Sequence, residues 1–76
     1  MTVYLDCDTT PPLRGRNVRA ARVETAVRHA VKLFRESRAQ GQIGIYETCM
    51  GQGFKGYVIR YPGEEPYFEQ AQSVTP

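Results

Sequence analysis

Between Arg22 and Arg38 the chain repeats apolar residues at helical spacing: Val23, Ala26, Val27, Ala30, Val31, Leu33 and Phe34. At about 100° per residue these positions form one stripe. No second stretch of the sequence shows the same period. A lone amphipathic helix must bury its stripe on something other than another helix. A sheet is the remaining partner for a chain of 76 residues, which is long enough for a single domain. Glu24 suits the positive start of this helix, and Arg35 and Arg38 suit its negative end. Gly41, able to adopt a left-handed conformation, is the expected stop.

Strand patterns lie on both sides of the helix. Thr2 to Cys7 alternates, with Val3, Leu5 and Cys7 on one face and Tyr4 and Asp6 on the other. Pro11 and Pro12 end it, since proline has no donor for a ladder. Residues 16–20 admit two readings. Asn17 is a good helix cap, but a helix beginning at Val18 would turn Val18 to the polar side and Arg19 to the core. A short strand from Arg16 to Ala20, with Val18 and Ala20 inward and the helix starting at Ala21 or Arg22, is the better fit. Gln42 to Thr48 and Phe54 to Tyr61 predict two further strands. The second carries Phe54 and Val58 on one face and Tyr57, Ile59 and Tyr61 on the other. Both faces hold apolar bulk, so the pattern leaves open which one meets the helix. Gly44 marks close packing or a bulge.

The expected fold is α+β: a small antiparallel sheet of three or four strands packed on one helix. The order is β-β-α-β-β, or β-α-β-β if residues 16–20 are not a strand. Residues 1–63 form the domain. Residues 64–76 form an acidic tail, tethered at Tyr67 and Phe68 and mobile over 70–76.

Charge is unevenly placed. Residues 14–38 hold eight of the ten basic side chains and two acids. Residues 1–40 carry net +4, whereas residues 41–76 carry net −2. Such a dipole steers partners towards one end. Arg28, Lys32 and Arg35 lie about one turn apart on the outer helix face, with Arg22 and Arg38 at its margins. Glu24 can pair with Arg28, and Glu36 with Lys32, which weakens the row. Arg14, Gly15, Arg16, Asn17, Val18 and Arg19 make a second basic patch, in which the glycine permits close approach to phosphate or carboxylate. The partner-binding candidates are therefore Arg14, Arg16, Arg28, Lys32, Arg35 and Arg38. Tyr46, Tyr57 and Tyr61 are candidate aromatic contacts. An exposed aromatic sheet face beside basic residues would suit single-stranded nucleic acid. A tyrosine-rich face suits protein contact equally.

Other constellations are less specific. His29 has no acidic neighbour in sequence to orient it as a base. Asp6 and Asp8 have the alternate spacing that can hold Mg²⁺, but no third acid stands near them, and the same spacing makes an ordinary polar strand face. Residues 51–56, Gly-Gln-Gly-Phe-Lys-Gly, miss the phosphate-loop spacing and lead into no helix, so they read as a hairpin connection. Cys7 and Cys49 form no metal-ligand pattern with the single histidine and are expected to be free thiols acting as small core residues; a disulfide is the alternative if their strands are adjacent, with Cα atoms within roughly 7 Å. The expectation is a non-enzymatic protein with no cofactor and no metal. No apolar run approaches a membrane span of about 20 residues. Met1 to Cys7 is too short for a signal peptide, and a cytoplasmic location is expected. A homodimer would be one way for so small a chain to bury more apolar area.

The passage Val18-x-Ala20 leading to Glu24-Thr25-Ala26-Val27-x-x-Ala30, together with size and the strand-helix-strand-strand pattern over residues 2–61, resembles small phage or mobile-element proteins of the anti-CRISPR inhibitor type. The resemblance implies a stoichiometric inhibitor of a bacterial CRISPR-Cas complex that occupies a nucleic-acid-binding surface of an RNA-guided effector. It makes a protein or ribonucleoprotein complex the expected partner, with direct DNA or RNA binding as the alternative. Many inhibitors of this type use acidic surfaces, whereas the helix here is basic.

Overall fold

The computed structural model of the protein describes residues 1–71. Its elements follow the order β1 (Thr2–Thr10), β2 (Arg16–Arg19), α1 (Val23–Ser37), β3 (Gln40–Tyr46), β4 (Gly56–Arg60) and β5 (Tyr67–Gln70). All strands belong to one antiparallel sheet in the order β2-β1-β3-β4-β5. The β-β-α-β-β expectation stands, with a fifth strand added at the edge.

The alternation in β1 fixes which face is buried. Leu5 opposes Ile45 and Cys7 opposes Ile43, and Ile43 in turn opposes Val58. These residues meet the helix, where Ala26, Ala30 and Phe34 are fully buried. The two alanines let the helix backbone come close to the sheet. Phe34 fills the space that remains, and with Leu5, Ile43, Ile45 and Val58 it forms the largest fully buried set. Val58, not Ile59, therefore marks the helix-facing side of β4. Val18 lies opposite Val3 in β2, and Ala20 is buried directly after it, as the strand reading of residues 16–20 requires.

Arg22 is the N-cap in extended conformation, without a side-chain cap bond. Glu24 occupies the first turn. The helix does not run to Gly41. It ends at Ser37, and Arg38 takes the left-handed conformation (φ 56°) while its N–H donates to the Phe34 carbonyl at 2.9 Å. Ser37 Oγ donates to the Leu33 carbonyl at 2.6 Å and accepts the Ala39 N–H at 3.2 Å, so the turn closes before Gly41 is reached. Gly41 instead lies within β3, where a Cβ would stand 2.5 Å from the Asp8 carbonyl oxygen.

Several strand boundaries differ from the periodicity: β1 runs past Cys7 to Thr10, β3 stops at Tyr46 instead of Thr48, and the starts of β3 and β4 both shift. β3 begins two residues early, at Gln40, because it pairs with Thr10 at the end of the long β1. β4 begins at Gly56 rather than Phe54. Gly56 has φ 139°, which breaks the alternation, and Phe54 consequently joins the tyrosine side instead of sharing a face with Val58. Part of the acidic segment set apart as a tail is β5, in which Phe68 opposes Val58 and Gln70 opposes Gly56. Of the end expected to be mobile, Gln70 is in this strand and Ala71 donates to the Lys55 carbonyl at 3.1 Å. Residues 72–76 lie outside the described residues. Both thiols are free. Cys7 is half-buried against the core, but Cys49 is exposed in the β3–β4 connection and is no core residue.

Candidate partner-binding surface

The sheet has one covered face and one open face. The helix takes the first. The strand register places Tyr4 opposite Tyr46, Tyr57 opposite Gly44 and Tyr67 opposite Ile59, all on the second. Tyr61 follows Arg60 out of β4 and brings its ring centroid to 6.4 Å from that of Tyr67. All five tyrosines of the chain thus share the face that no described element covers. Phe54 joins them, with its ring 5.2 Å from Tyr46 and 4.8 Å from Tyr57, both in tilted geometry. Gly44 provides the floor: a Cβ there would stand 2.8 Å from Tyr46 Cε2 and 3.3 Å from Tyr57 Cε1. Gly15 does the same for Tyr4, whose hydroxyl lies where a Cβ would be.

Packing of the rings against one another alters their chemistry. Burial, then the neighbouring Tyr57, pushes the Tyr46 phenol above its ordinary pKa. The adjacent Tyr61 hydroxyl, followed by burial, raises that of Tyr67. The Tyr46 and Tyr67 phenols therefore stay neutral donors and acceptors throughout the physiological range. The charged residues on this face are mainly acids. Asp6 and Asp8 come from β1 and Glu69 from β5, all exposed, against Arg19 from β2.

The basic candidates lie elsewhere. Arg28, Lys32 and Arg35 are exposed on the outer side of α1, on the opposite side of the molecule from the tyrosines. Lys32 meets Glu36 at 4.0 Å and Arg35 meets Glu65 at 3.8 Å; both pairs are well hydrated and weak. Arg28 has no ion pair among the described residues. Arg16 stands opposite Leu5 and so faces the helix side, where it lines a shallow recess of about 240 Å³ with Val18, His29, Lys32 and Glu36. Arg14 adjoins it, its carbonyl accepting Arg16 Nε at 3.2 Å. Arg38 is occupied by its backbone role at the helix end, with its side chain exposed. The structure thus brings Arg16 and Lys32 together, keeps Arg28 and Arg35 towards β5, and leaves Arg38 apart.

This separation bears on the nucleic-acid reading. Single-strand platforms combine stacking rings with cations that follow the phosphates. Here the rings and the cations occupy opposite faces, and the ring face carries carboxylates.

Tyr4, Tyr67 and Phe54 belong to the aromatic face and were not among the sequence candidates. Tyr4 was recoverable from its alternation with Val3 and Leu5. Tyr67 was hidden by the acidic segment around it, and Phe54 by the irregularity at Gly56. Arg60 was missed as well, but its role is structural. Its Nη1 donates to the Phe34 carbonyl at 3.0 Å and the Ala39 carbonyl at 3.3 Å, and its Nε donates to the Glu64 carbonyl at 3.1 Å.

The glycine-rich stretch is the β3–β4 connection, with positive φ at Gly51 and Gly53 and a Glu47–Lys55 ion pair at 2.9 Å across its base. Among the described residues, no three His, Cys, Asp or Glu side chains gather closely enough to hold a metal ion. No helix there is long and apolar enough to cross a membrane. Comparison with protein-family models, curated proteins and solved structures finds no match.

Proposed function

We propose that this protein is a stoichiometric, non-enzymatic protein-binding module of the anti-CRISPR inhibitor type. Its contact surface is the open tyrosine face rather than the basic helix row. The observation that carries this reading is the placement of all five tyrosines on one uncovered sheet face, edged by Asp6, Asp8 and Glu69. Tyrosine supplies large contact area at low entropic cost, and its hydroxyl satisfies polar groups at a desolvated interface. The molecule measures 36 × 27 × 19 Å, so a broad face is large enough for the roughly 800 Å² per partner of a standard interface. Acids beside aromatic rings complement a partner rich in arginine and lysine. The nucleic-acid-binding surface of an RNA-guided effector has that chemistry.

The test is inhibition of target-DNA binding by guide-loaded effector complexes, measured with the wild-type chain and two variants. A Tyr57→Ser/Tyr67→Ser double substitution is expected to abolish inhibition. Reversal of the helix row, by Arg28→Glu, Lys32→Glu and Arg35→Glu, is expected to preserve it. Inhibition that follows the helix row instead would move the contact to α1. Absence of inhibition across the effector classes would remove the reading.

Direct nucleic-acid binding is the rival. It predicts affinity for labelled single-stranded or duplex oligonucleotides that falls steeply with salt, because bound cations displace condensed counterions. The separation of rings from cations predicts no such salt-sensitive binding.

A further inference from the structure

β5 is the outer strand of the sheet, with no described element beyond it. Its hydrogen-bonding phase follows from Ala71, whose N–H donates to the Lys55 carbonyl. Antiparallel pairs alternate between bonded and non-bonded. Tyr67–Ile59 and Glu69–Tyr57 are therefore the bonded pairs of β5, and the N–H and C=O groups of Phe68 and Gln70 point away from β4 to the free edge. The side chains of these same two residues project to the helix side. There they border a groove of about 820 Å³ between the sheet edge and the first half of α1. Val23, Val27 and Phe68 give the groove apolar walls; Glu24, Arg28 and Lys55 are its charged lining, and Arg28 has no ion pair among the described residues.

We propose that this edge and groove form a binding site for an extended peptide segment of a partner protein. The segment adds as a sixth strand beside β5, directs alternate apolar side chains into the groove and places one acidic side chain against Arg28. The in-line backbone groups of Phe68 and Gln70 select an extended main chain, since a helix has already spent its own donors and acceptors. The period of two along β5 matches the alternation of side chains entering the groove. A second copy of β5 fits poorly, because an antiparallel pairing that bonds Phe68 of one copy to Gln70 of the other sets the two Glu69 side chains directly opposite each other. The site does not rest on the tyrosine-face reading: the bound strand needs none of Tyr4, Tyr46 or Tyr57, and Phe54, which also lines the groove, is shared by the two surfaces.

The experiment is an NMR titration of the full isotope-labelled chain with short acetylated peptides of alternating threonine and valine, carrying one glutamate in the valine phase at either end. Saturable shifts are expected at Phe68, Gln70, Val23, Val27 and Arg28, with slowed amide exchange at Phe68 and Gln70. N-methylation of every second peptide nitrogen should abolish binding in one phase and spare it in the other. Replacing the glutamate by lysine, or Arg28→Glu in the protein, should weaken binding about fivefold. Equal binding of both methylated phases overturns the proposal, as do shifts confined to the tyrosine face or the absence of saturable binding. It also fails if peptide-free shifts at the same residues depend on protein concentration, which would identify a second copy as occupant. Binding seen only with a chain ending at Ala71 would assign the groove to the chain's own last residues and overturns it too.

Discussion

Arg60 joins three parts of the molecule through one guanidinium. It reaches the last turn of α1 at Phe34, the entry to β3 at Ala39 and the β4–β5 connection at Glu64. At Phe34 it adds a second donor to a carbonyl that already accepts the Arg38 N–H, and at Ala39 it serves a carbonyl just beyond the helix, so its charge-assisted bonds tie the helix end to the sheet. Arg60→Leu keeps the aliphatic stem but removes every donor, and is expected to lower stability by about 1–3 kcal/mol. Urea unfolding checks this, and an unchanged midpoint would show the bonds to be dispensable. The two thiols make a second contrast. Burial, only partly opposed by Arg16 and reinforced by Asp6, pushes the Cys7 thiol above its ordinary value, whereas Cys49 is exposed. Iodoacetamide is expected to modify Cys49 well before Cys7 in the native protein, with Cys49→Ser leaving only the slow phase. The raised Cys7 value also fixes the sign of its pH effect. Above the ordinary thiol pKa of about 8.5 the unfolded chain releases a proton that the folded chain retains. The stability Cys7 contributes is complete below that pH and declines as pH rises through its folded value. Urea midpoints of wild type and Cys7→Ala at neutral and alkaline pH measure the difference, which should favour the wild type less at high pH.

At the level of elements, Gly44 in the middle strand decides how the tyrosines lie. Gly44→Ala is expected to displace the Tyr46 ring and break its contact with Phe54, while Ile43 and Ile45 keep their places on the other face. Loss of ring-to-ring NOEs between Tyr46 and Phe54 is the readout, and unchanged NOEs would mean that the ring does not need the slot. The elements also differ in how far local pattern could define them. β1 and α1 were legible because each buries one face, and period alone says which. β2 was legible because Val18 and Arg19 fit a strand and misfit the helical wheel. β5 was not, because four residues following Pro66, half of them polar, carry little period of their own; their pairing depends on β4 being in place. The helix end was misplaced because nothing in a sequence marks Arg38 as the residue that turns left-handed three positions before an available glycine. The tyrosine face was half visible. Tyr57 and Tyr61 share a phase, but only the sheet order could add Tyr4 and Tyr67 to them. Its separation from the basic row follows from tertiary placement: Arg16 and the helix cations fall on one side of the sheet and the rings on the other.

At the scale of the whole molecule there is little stability to spare. A chain of this length is expected to hold about 4–11 kcal/mol in total. Phe34, fully buried where helix and sheet meet, is the largest single contributor to the core. Phe34→Ala should cost about 3–5 kcal/mol and remove most of the margin. Thermal unfolding followed by circular dichroism is expected to show a broad transition near ambient temperature, and a sharp transition close to that of the wild type would contradict it. The sheet order has one more consequence, for the order of assembly. β3 sits at the centre of the sheet although it is the fourth element to leave the ribosome. Until Ile43 and Ile45 emerge, the β1–β2 hairpin and the apolar stripe of α1 share no complete surface on which to close. The β1–β3 pairing spans the whole helix, so the loop entropy of that closure precedes any gain from the core. The nascent protein therefore carries the apolar stripe of its helix uncovered from Val23 until Ile43 and Ile45 follow, and β4 and β5 are added to a scaffold that already exists.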